Sequence, residues 1–294
     1  MKQLLSFFIA AAILVSCDPG NGKVDPGKDK PSGGETIPVN TLEPGQLKVM
    51  SFNIRQQTTE VDAWNHWSLR SGSCKAMVID QKPTILGLQE LTETQWNYMC
   101  EGLSRYGYTG VATQDVKNAF MYRRDILEYV SGGNFWLTDT PDVPSVSSDG
   151  FSRYVKWAIM KITATGQSFF FMNTHFGLTT QSRKTGMNVI INRLPKYNTE
   201  NLPVVFMGDC NTPSTDSLFD EFRKTMVCTR DVAPITDNLD TYNGWNLPDN
   251  RPYVCDHIFI TSSIACSEYK TVTQPYEGHT LISDHYPVYS IIKF

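Results

Sequence analysis

The backbone of this chain is broken up by brief apolar runs, at 47–54, 84–88, 120–122, 155–162, 169–172, 204–207 and 258–260. Each is rich in β-branched or aromatic residues and bounded by Gly, Asn, Asp or Pro, which predicts a set of short buried strands and leaves no room for an all-helical fold. Three further stretches, 68–81, 93–104 and 180–194, read as helices. In the last, Met187, Ile190, Ile191 and Leu194 fall at helical spacing, and Pro195 is expected to help end it. Many strands with a few interspersed helices predict layered α/β packing, with helices covering a core of two sheets.

Polar residues crowd the ends of these strands in five places: Asn53, Gln89-Glu90, Asn173-Thr174-His175, Gly208-Asp209-Cys210-Asn211 and Ser283-Asp284-His285. A polar group just beyond a buried strand is costly unless something pairs with it. Five such places in one domain predict convergence on a common pocket. Glu90 and Asn53 supply hard oxygen ligands suited to Mg²⁺; Glu90 alone would equally suit the N-terminus of the helix over 93–104. Asp209 and Asn211, two apart, would project to one side of an extended segment, or form a turn closed on its own backbone. Asp284 and His285 are sequence neighbours and point to opposite faces of a strand, so the partner of His285 must come from elsewhere, and Asp256 is the candidate. A carboxylate-paired imidazolium can hold a phosphate oxygen or protonate a leaving group.

Charge and cysteine content narrow the class. The formal net charge of -4 weighs against tight, sequence-independent binding along nucleic acid, which needs many Lys and Arg on phosphates. At the N-terminus, Lys2 precedes an apolar run from Leu4 to Val15, too short for the roughly 20 residues of a membrane span and matched to a secretory signal. Leu14-Val15-Ser16-Cys17 resembles the lipobox of bacterial lipoproteins, in which Cys17 would be acylated. Residues 1–16 are then a signal peptide, 17–45 a lipidated Cys and Pro/Gly-rich tether, and 46–294 a single domain. The expected location is a bacterial membrane surface, reached by the lipid alone. Six cysteines remain, Cys74, Cys100, Cys210, Cys228, Cys255 and Cys266, and none forms a C-x-x-C pair, which argues against a zinc site. Disulfides and buried free thiols are equally open.

Taken together, Asn53 with Arg55, Gly87 to Glu90, Asn173 to His175, Gly208 to Asn211, Cys255 to Phe259 and Ser283 to Pro287 resemble, in order, the endonuclease/exonuclease/phosphatase superfamily. The resemblance implies a four-layer α/β sandwich of two facing mixed sheets flanked by helices. It implies Mg²⁺, with Mn²⁺ as a substitute, at Glu90, assisted by Asn53 and Asp284. Asp209 would orient the attacking water, Asn211 and His175 would hold phosphate, and the Asp256–His285 pair would contact the scissile group. Asn173, Tyr122 and Arg153 resemble further phosphate-contacting positions. Cys210 and Cys255, where the family has other residues, are expected to point away from the metal, with a disulfide possible behind the site.

The expected activity is hydrolysis of a phosphate ester by in-line water attack, nuclease-like first and sphingomyelinase-like or sugar- or inositol-phosphate phosphatase second. Its expected partner is a phosphate-ester substrate, with nucleic acid among the candidates. A surface binding lipoprotein without turnover is the reading from another class. If Cys17 carries the lipid, Cys17→Ala moves the protein from the membrane to the soluble fraction on cell fractionation; unchanged membrane association would exclude the anchor.

Overall fold

A computed structural model describes residues 42–57, 64–113, 115–246 and 253–294, so the stretch expected to be a signal peptide, Cys17 and most of the expected tether lie outside the described residues. The first sheet is built from β1 (Gln46–Asn53), β2 (Ile85–Gln89), β3 (Tyr108–Val111), β4 (Phe120–Arg123), β11 (Ala265–Thr271) and β12 (Val288–Lys293). The second holds β5 (Leu127–Trp136), β6 (Tyr154–Ile162), β7 (Ser168–His175), β8 (Val204–Asp209), β9 (Met226–Cys228) and β10 (Asp256–Thr261). Their orders are β11-β12-β1-β2-β4-β3 and β5-β6-β7-β8-β10-β9. Each sheet has one parallel pair at its centre, β1 with β2 and β7 with β8, and antiparallel neighbours elsewhere, so both are mixed. Among the described residues no helix is long and apolar enough to cross a membrane.

Strand periodicity sorts the side chains into layers. Leu47, Val49, Ile85 and Phe120 of one sheet meet Ala158, Met160, Phe169, Phe171, Val205, Met207 and Ile258 of the other in the central core. The alternate residues Met50, Phe52, Leu86 and Leu88 pack outward against α1 (Trp67–Gln81) and α2 (Glu93–Ser104). On the far side Phe170, Met172 and Phe206 pack under α3 (Thr180–Tyr197). The result is the four-layer α/β sandwich. Two departures from the sequence reading concern ends and edges. Helix α3 passes through Pro195 to Tyr197, because the fixed φ of proline is helical and one turn from the end it removes a single backbone bond. The edge strands β3, β5, β9 and β11 carry no long apolar run: β5 and β11 are half-buried or exposed along much of their length, while β3 and β9 are largely buried but only four and three residues long. The interior β12, buried at alternate residues only, also lies outside the apolar runs.

The two sheets are joined by a polar bridge under the site. Asn173, fully buried on the inward face of β7, donates through Nδ2 to the carbonyls of Leu88, Asn118 and Ala119 (2.9, 3.1 and 3.1 Å) and accepts from Gln89 Nε2 at 2.7 Å. Gly87 makes this possible, since a Cβ there would lie 2.6 Å from Asn173 Oδ1. Asn173 is therefore a structural clamp and not a phosphate ligand: its amide is consumed by the protein and shielded from solvent. Asn173→Leu removes one of the two partners of Gln89 Nε2, which keeps Ser51 Oγ, and one donor to the carbonyls of Leu88, Asn118 and Ala119, of which Ala119 keeps Leu88 N. It is expected to lower unfolding stability by about 1–3 kcal/mol, the cost of a buried group left unpaired. Urea denaturation measures this; a loss below about 1 kcal/mol would contradict the clamp.

Candidate functional site

The site forms where inward-facing residues run past the ends of the central strands. Asn53 ends β1, Gln89 ends β2, His175 ends β7, Asp209 ends β8 and Asp256 begins the antiparallel β10, with Asp256 opposite Asp209 and Asp209 beside His175. All share the parity of the central core, so the polar cluster is the continuation of that core into solvent. Gly208 lets β7 and β8 close here: at φ 150° any Cβ would strike the Thr174 carbonyl.

Asn53 is the hub. Its buried Nδ2 donates to Glu90 Oε1 (3.1 Å) and Asp209 Oδ2 (3.0 Å) and lies 3.5 Å from His285 Nε2. Its Oδ1 accepts from Arg55 N. Glu90 reaches this position through a left-handed backbone (φ 64°), which breaks the strand alternation after Gln89 and swings the carboxylate toward Asn53. The cap of α2 is Thr92, in a capping box with Gln95, so Glu90 is not a helix-terminal carboxylate. Arg55 and Asn211 are also left-handed (φ 57° and 51°). Such strain persists only where surrounding contacts impose it, and here it gathers at three strand ends of one cleft.

Asp209 is divided between two tasks. Its Oδ1 accepts from Asn211 N at 2.9 Å, the local turn anticipated from the sequence, while Oδ2 faces the cleft, 3.3 Å from His175 Nε2 and 3.6 Å from His285 Nε2. Asn211 Nδ2 meets His175 Nε2 at 3.0 Å and the Phe176 carbonyl at 2.9 Å. Asp256 Oδ2 lies 2.8 Å from His285 Nδ1, the partnership proposed above, and its Oδ1 is buried with no hydrogen-bond partner. Burial alone would discharge the His285 ring. The adjoining carboxylates, Asp256 first and then Asp209, outweigh it and raise its pKa to about 10, so the ring is a cation at neutral pH.

The remaining candidates separate. Asp284 joins the cluster through Arg55, whose Nη1 lies 3.5 Å from Asp284 Oδ2 and 3.7 Å from Glu90 Oε2. Arg153 precedes β6 at the site end, but its guanidinium is engaged by Asp149 at 3.0 Å. Tyr122 is not there. It pairs with Ile85, four residues down β2 from Gln89, and lies in the central core with its hydroxyl pKa raised by burial. At about 3.3 Å per strand residue it stands on the order of 13 Å below the cleft, a packing aromatic. Cys255 departs from expectation in the other direction. It precedes the first residue of β10, so strand alternation does not govern it, and its Sγ lies 3.6 Å from Asp256 Oδ2 and 4.0 Å from His285 Nδ1. Cys210 does point outward into the core beneath α3. Cys74, Cys210, Cys228, Cys255 and Cys266 are free thiols, so no disulfide joins Cys210 to Cys255.

Several supporting residues have no role assigned in the sequence reading. Arg70 is fully buried in α1 and donates to four carbonyls, those of Asn65, Ile54, Arg55 and Ile282, tying the end of β1 to the segment that carries Asp284. Its signal was present: Arg70 shares a helical stripe with Trp67, Cys74 and Met77. Thr241 Oγ1 accepts from the backbone of Cys255 and Asp256, the Tyr242 ring meets His285 edge-on at 4.9 Å, and Asn243 N donates to the Asp284 carbonyl.

The donor set suits a divalent cation. Four carboxylates, Glu90, Asp209, Asp256 and Asp284, are opposed within this contact network by two cations, Arg55 and His285. The formal balance is two negative charges in a buried cleft, which calls for a hard cation on oxygen ligands.

Comparison with known proteins agrees with the geometry. The family described as "Endonuclease/Exonuclease/phosphatase family" matches residues 50–285. A mannosyl-6-phosphatase of Bacteroides thetaiotaomicron superposes with TM-score 0.74 at 27% identity, over 84% of this chain and 100% of that one. The human Nocturnin catalytic domain gives 0.67 at 18%, over 86% and 96%. An uncharacterized protein of Acanthamoeba polyphaga mimivirus is 24% identical over 276 residues, 84% of this chain and all of its own.

His257 gives a test of the packing behind the site. It is fully buried, with Nε2–H donating to the Thr212 carbonyl at 2.8 Å, and burial lowers its pKa to about 4. The unfolded ring, near 6.5, binds a proton that the folded ring refuses, so this contribution to stability is complete above pH 6.5 and falls away as pH drops toward 4. His257→Leu is expected to flatten the pH dependence of stability in that window by up to about 1.4 kcal/mol per pH unit. Parallel wild-type and variant curves would contradict a neutral buried ring.

Proposed function

This chain belongs to the endonuclease/exonuclease/phosphatase family, whose members are hydrolases of phosphate esters, and on that premise we propose that it is a divalent-metal-dependent phosphatase of small phosphorylated sugars. The observation that carries the hydrolytic reading is the Asn53 amide, which holds Glu90 and Asp209 together beside His285 although the four come from distant parts of the chain. Glu90, Asn53 and Asp284 would hold Mg²⁺, or Mn²⁺ in its place, which when bound neutralises phosphate charge.

The protein's own groups divide the rest of the chemistry. Asp209 Oδ2 faces the cleft as the acceptor that orients a water and takes its proton as the water attacks phosphorus. Asn211 and His175 flank that carboxylate, bonded to each other at 3.0 Å, and would exchange that contact for the non-bridging phosphate oxygens when substrate enters. His285, held charged by Asp256, supplies a proton or hydrogen bond where negative charge develops on the ester oxygen. Burial of these groups strengthens each interaction relative to water.

Three considerations turn the substrate away from the nuclease-like expectation. The guanidiniums near the cleft are already engaged, Arg55 by Glu90 and Asp284, Arg153 by Asp149 and Arg70 by carbonyls, which leaves them poorly placed to track a phosphate backbone. A neighbour above 25% identity is a sugar phosphatase. The half-exposed Trp64, edge-on to Trp245 at 5.5 Å, adds an aromatic wall suited to a ring.

The test compares kcat/KM for a hexose 6-phosphate, bis-p-nitrophenyl phosphate and a single-stranded oligonucleotide with Mg²⁺. The hexose phosphate is expected to lead, EDTA to abolish turnover, and Asp209→Ala to reduce kcat by at least about a hundredfold with the fold intact. A preference for the oligonucleotide would sink the sugar-phosphate assignment; wild-type turnover by Asp209→Ala would sink the mechanism.

A further inference from the structure

Cys255 places a soft ligand against groups that otherwise suit a hard cation. Sγ of Cys255, a carboxylate oxygen of Asp209 and a ring nitrogen of His285 all lie within 4.8 Å of one another, and all three residues are buried. Asp256 Oδ2 is 3.6 Å from the same sulfur, and the unpartnered Asp256 Oδ1 is an available acceptor beside them. Zinc binds thiolate, imidazole and carboxylate tetrahedrally with bonds of about 2.0–2.3 Å, which sets its ligands roughly 3.3–3.8 Å apart. The 3.6 Å and 4.0 Å separations of Cys255 Sγ from Asp256 and His285 are within a few tenths of an ångström of that spacing.

We propose that Asp209, Cys255 and His285, with Asp256 as fourth ligand, form an inhibitory site for Zn²⁺ or Cd²⁺, distinct from the oxygen ligands assigned to Mg²⁺. The absence of a C-x-x-C pair does not bear on it, because these ligands come from separate strand ends and not from one loop. Binding releases the thiol proton and an imidazole proton to solvent, and the ion takes their place. The cost of deprotonating a buried thiol, whose pKa is raised well above its usual value, is met by the metal–thiolate bond. Occupancy removes both working groups of the cleft at once: Asp209 no longer faces a water, and His285, with one of its two ring protons displaced, is no longer a cation. Mg²⁺ prefers oxygen and keeps its waters, so it does not compete for the sulfur. The inference presumes the hydrolytic role of Asp209 and His285 for its consequence, but not for the binding itself.

Two measurements on the full-length protein separate these. Metal-free protein is titrated with Co²⁺ and followed by the thiolate-to-cobalt charge-transfer absorption; Zn²⁺ is then added to displace it. The band is expected in wild type, absent in Cys255→Val, and erased by stoichiometric Zn²⁺. In the presence of excess Mg²⁺, Zn²⁺ is expected to inhibit wild type, while Cys255→Val retains Mg²⁺-supported turnover and needs at least about tenfold more Zn²⁺ for the same inhibition. A wild type without the band, or one whose band survives in Cys255→Val, overturns the site whether or not any phosphate ester is hydrolysed. Equal Zn²⁺ sensitivity of the two proteins overturns its inhibitory role. Failure of both proteins to hydrolyse any ester, with the band present only in wild type, would strike the phosphatase reading and leave the metal site standing.

Discussion

Asn53 can donate only two strong hydrogen bonds from its amide, and in this protein both go to carboxylates, Glu90 and Asp209, that would otherwise repel each other across a buried cleft. Around that amide the charge is deliberately unbalanced. Arg55 reaches Glu90 and Asp284, and His285 stands between Asp209 and Asp256, yet two formal negative charges remain. A cleft built this way is least costly when a divalent cation shares it. The same excess explains why His285 is charged at neutral pH despite its burial. On the proposed function, metal affinity, proton donation and water orientation would thus share one electrostatic origin.

The sheets make that arrangement obligatory. Period-two alternation sends Val49, Ile85, Phe171 and Met207 into the central core, and the same alternation carries Asn53, Gln89, Asn173, His175 and Asp209 to its rim. Below the rim Asn173 clamps one sheet to the other, and above it left-handed turns at Arg55, Glu90 and Asn211 redirect the chain. The site is therefore rigid where it grips and strained where it turns, which is how a cleft keeps several charged groups in fixed register.

What the sequence disclosed, and what it hid, follows the same physics. Strands such as β7 and β8 are covered on both faces, so they read as continuous apolar runs and were placed within a residue or a few of their ends. Strands β5, β11 and β12 lose that signature because alternate residues meet a partly exposed face, and β3 and β9 because they are only four and three residues long. The pairing of Asp256 with His285 was anticipated, but by a strand alternation that does not apply there: Asp284 and His285 lie in a bent segment ahead of β12, and the fold around them brings Asp256 to the ring. Tyr122 was misplaced because motif context says nothing of register; its pairing with Ile85 sets it deep in the core. Asn173 was misread because only the three-dimensional fold reveals carbonyls from two other segments waiting for its amide. Cys255 escaped because strand alternation was applied one residue beyond the strand.

The central claim is that Glu90, Asn53 and Asp284 together create a site for one divalent cation. Titrating the metal-free protein with Mn²⁺, followed by the paramagnetic resonance of the free ion, tests it without reference to any substrate. The account predicts a tight stoichiometric site that Glu90→Gln weakens by at least about tenfold, with Mg²⁺ competing for it. Undiminished Mn²⁺ binding in Glu90→Gln, or none in wild type, would contradict it.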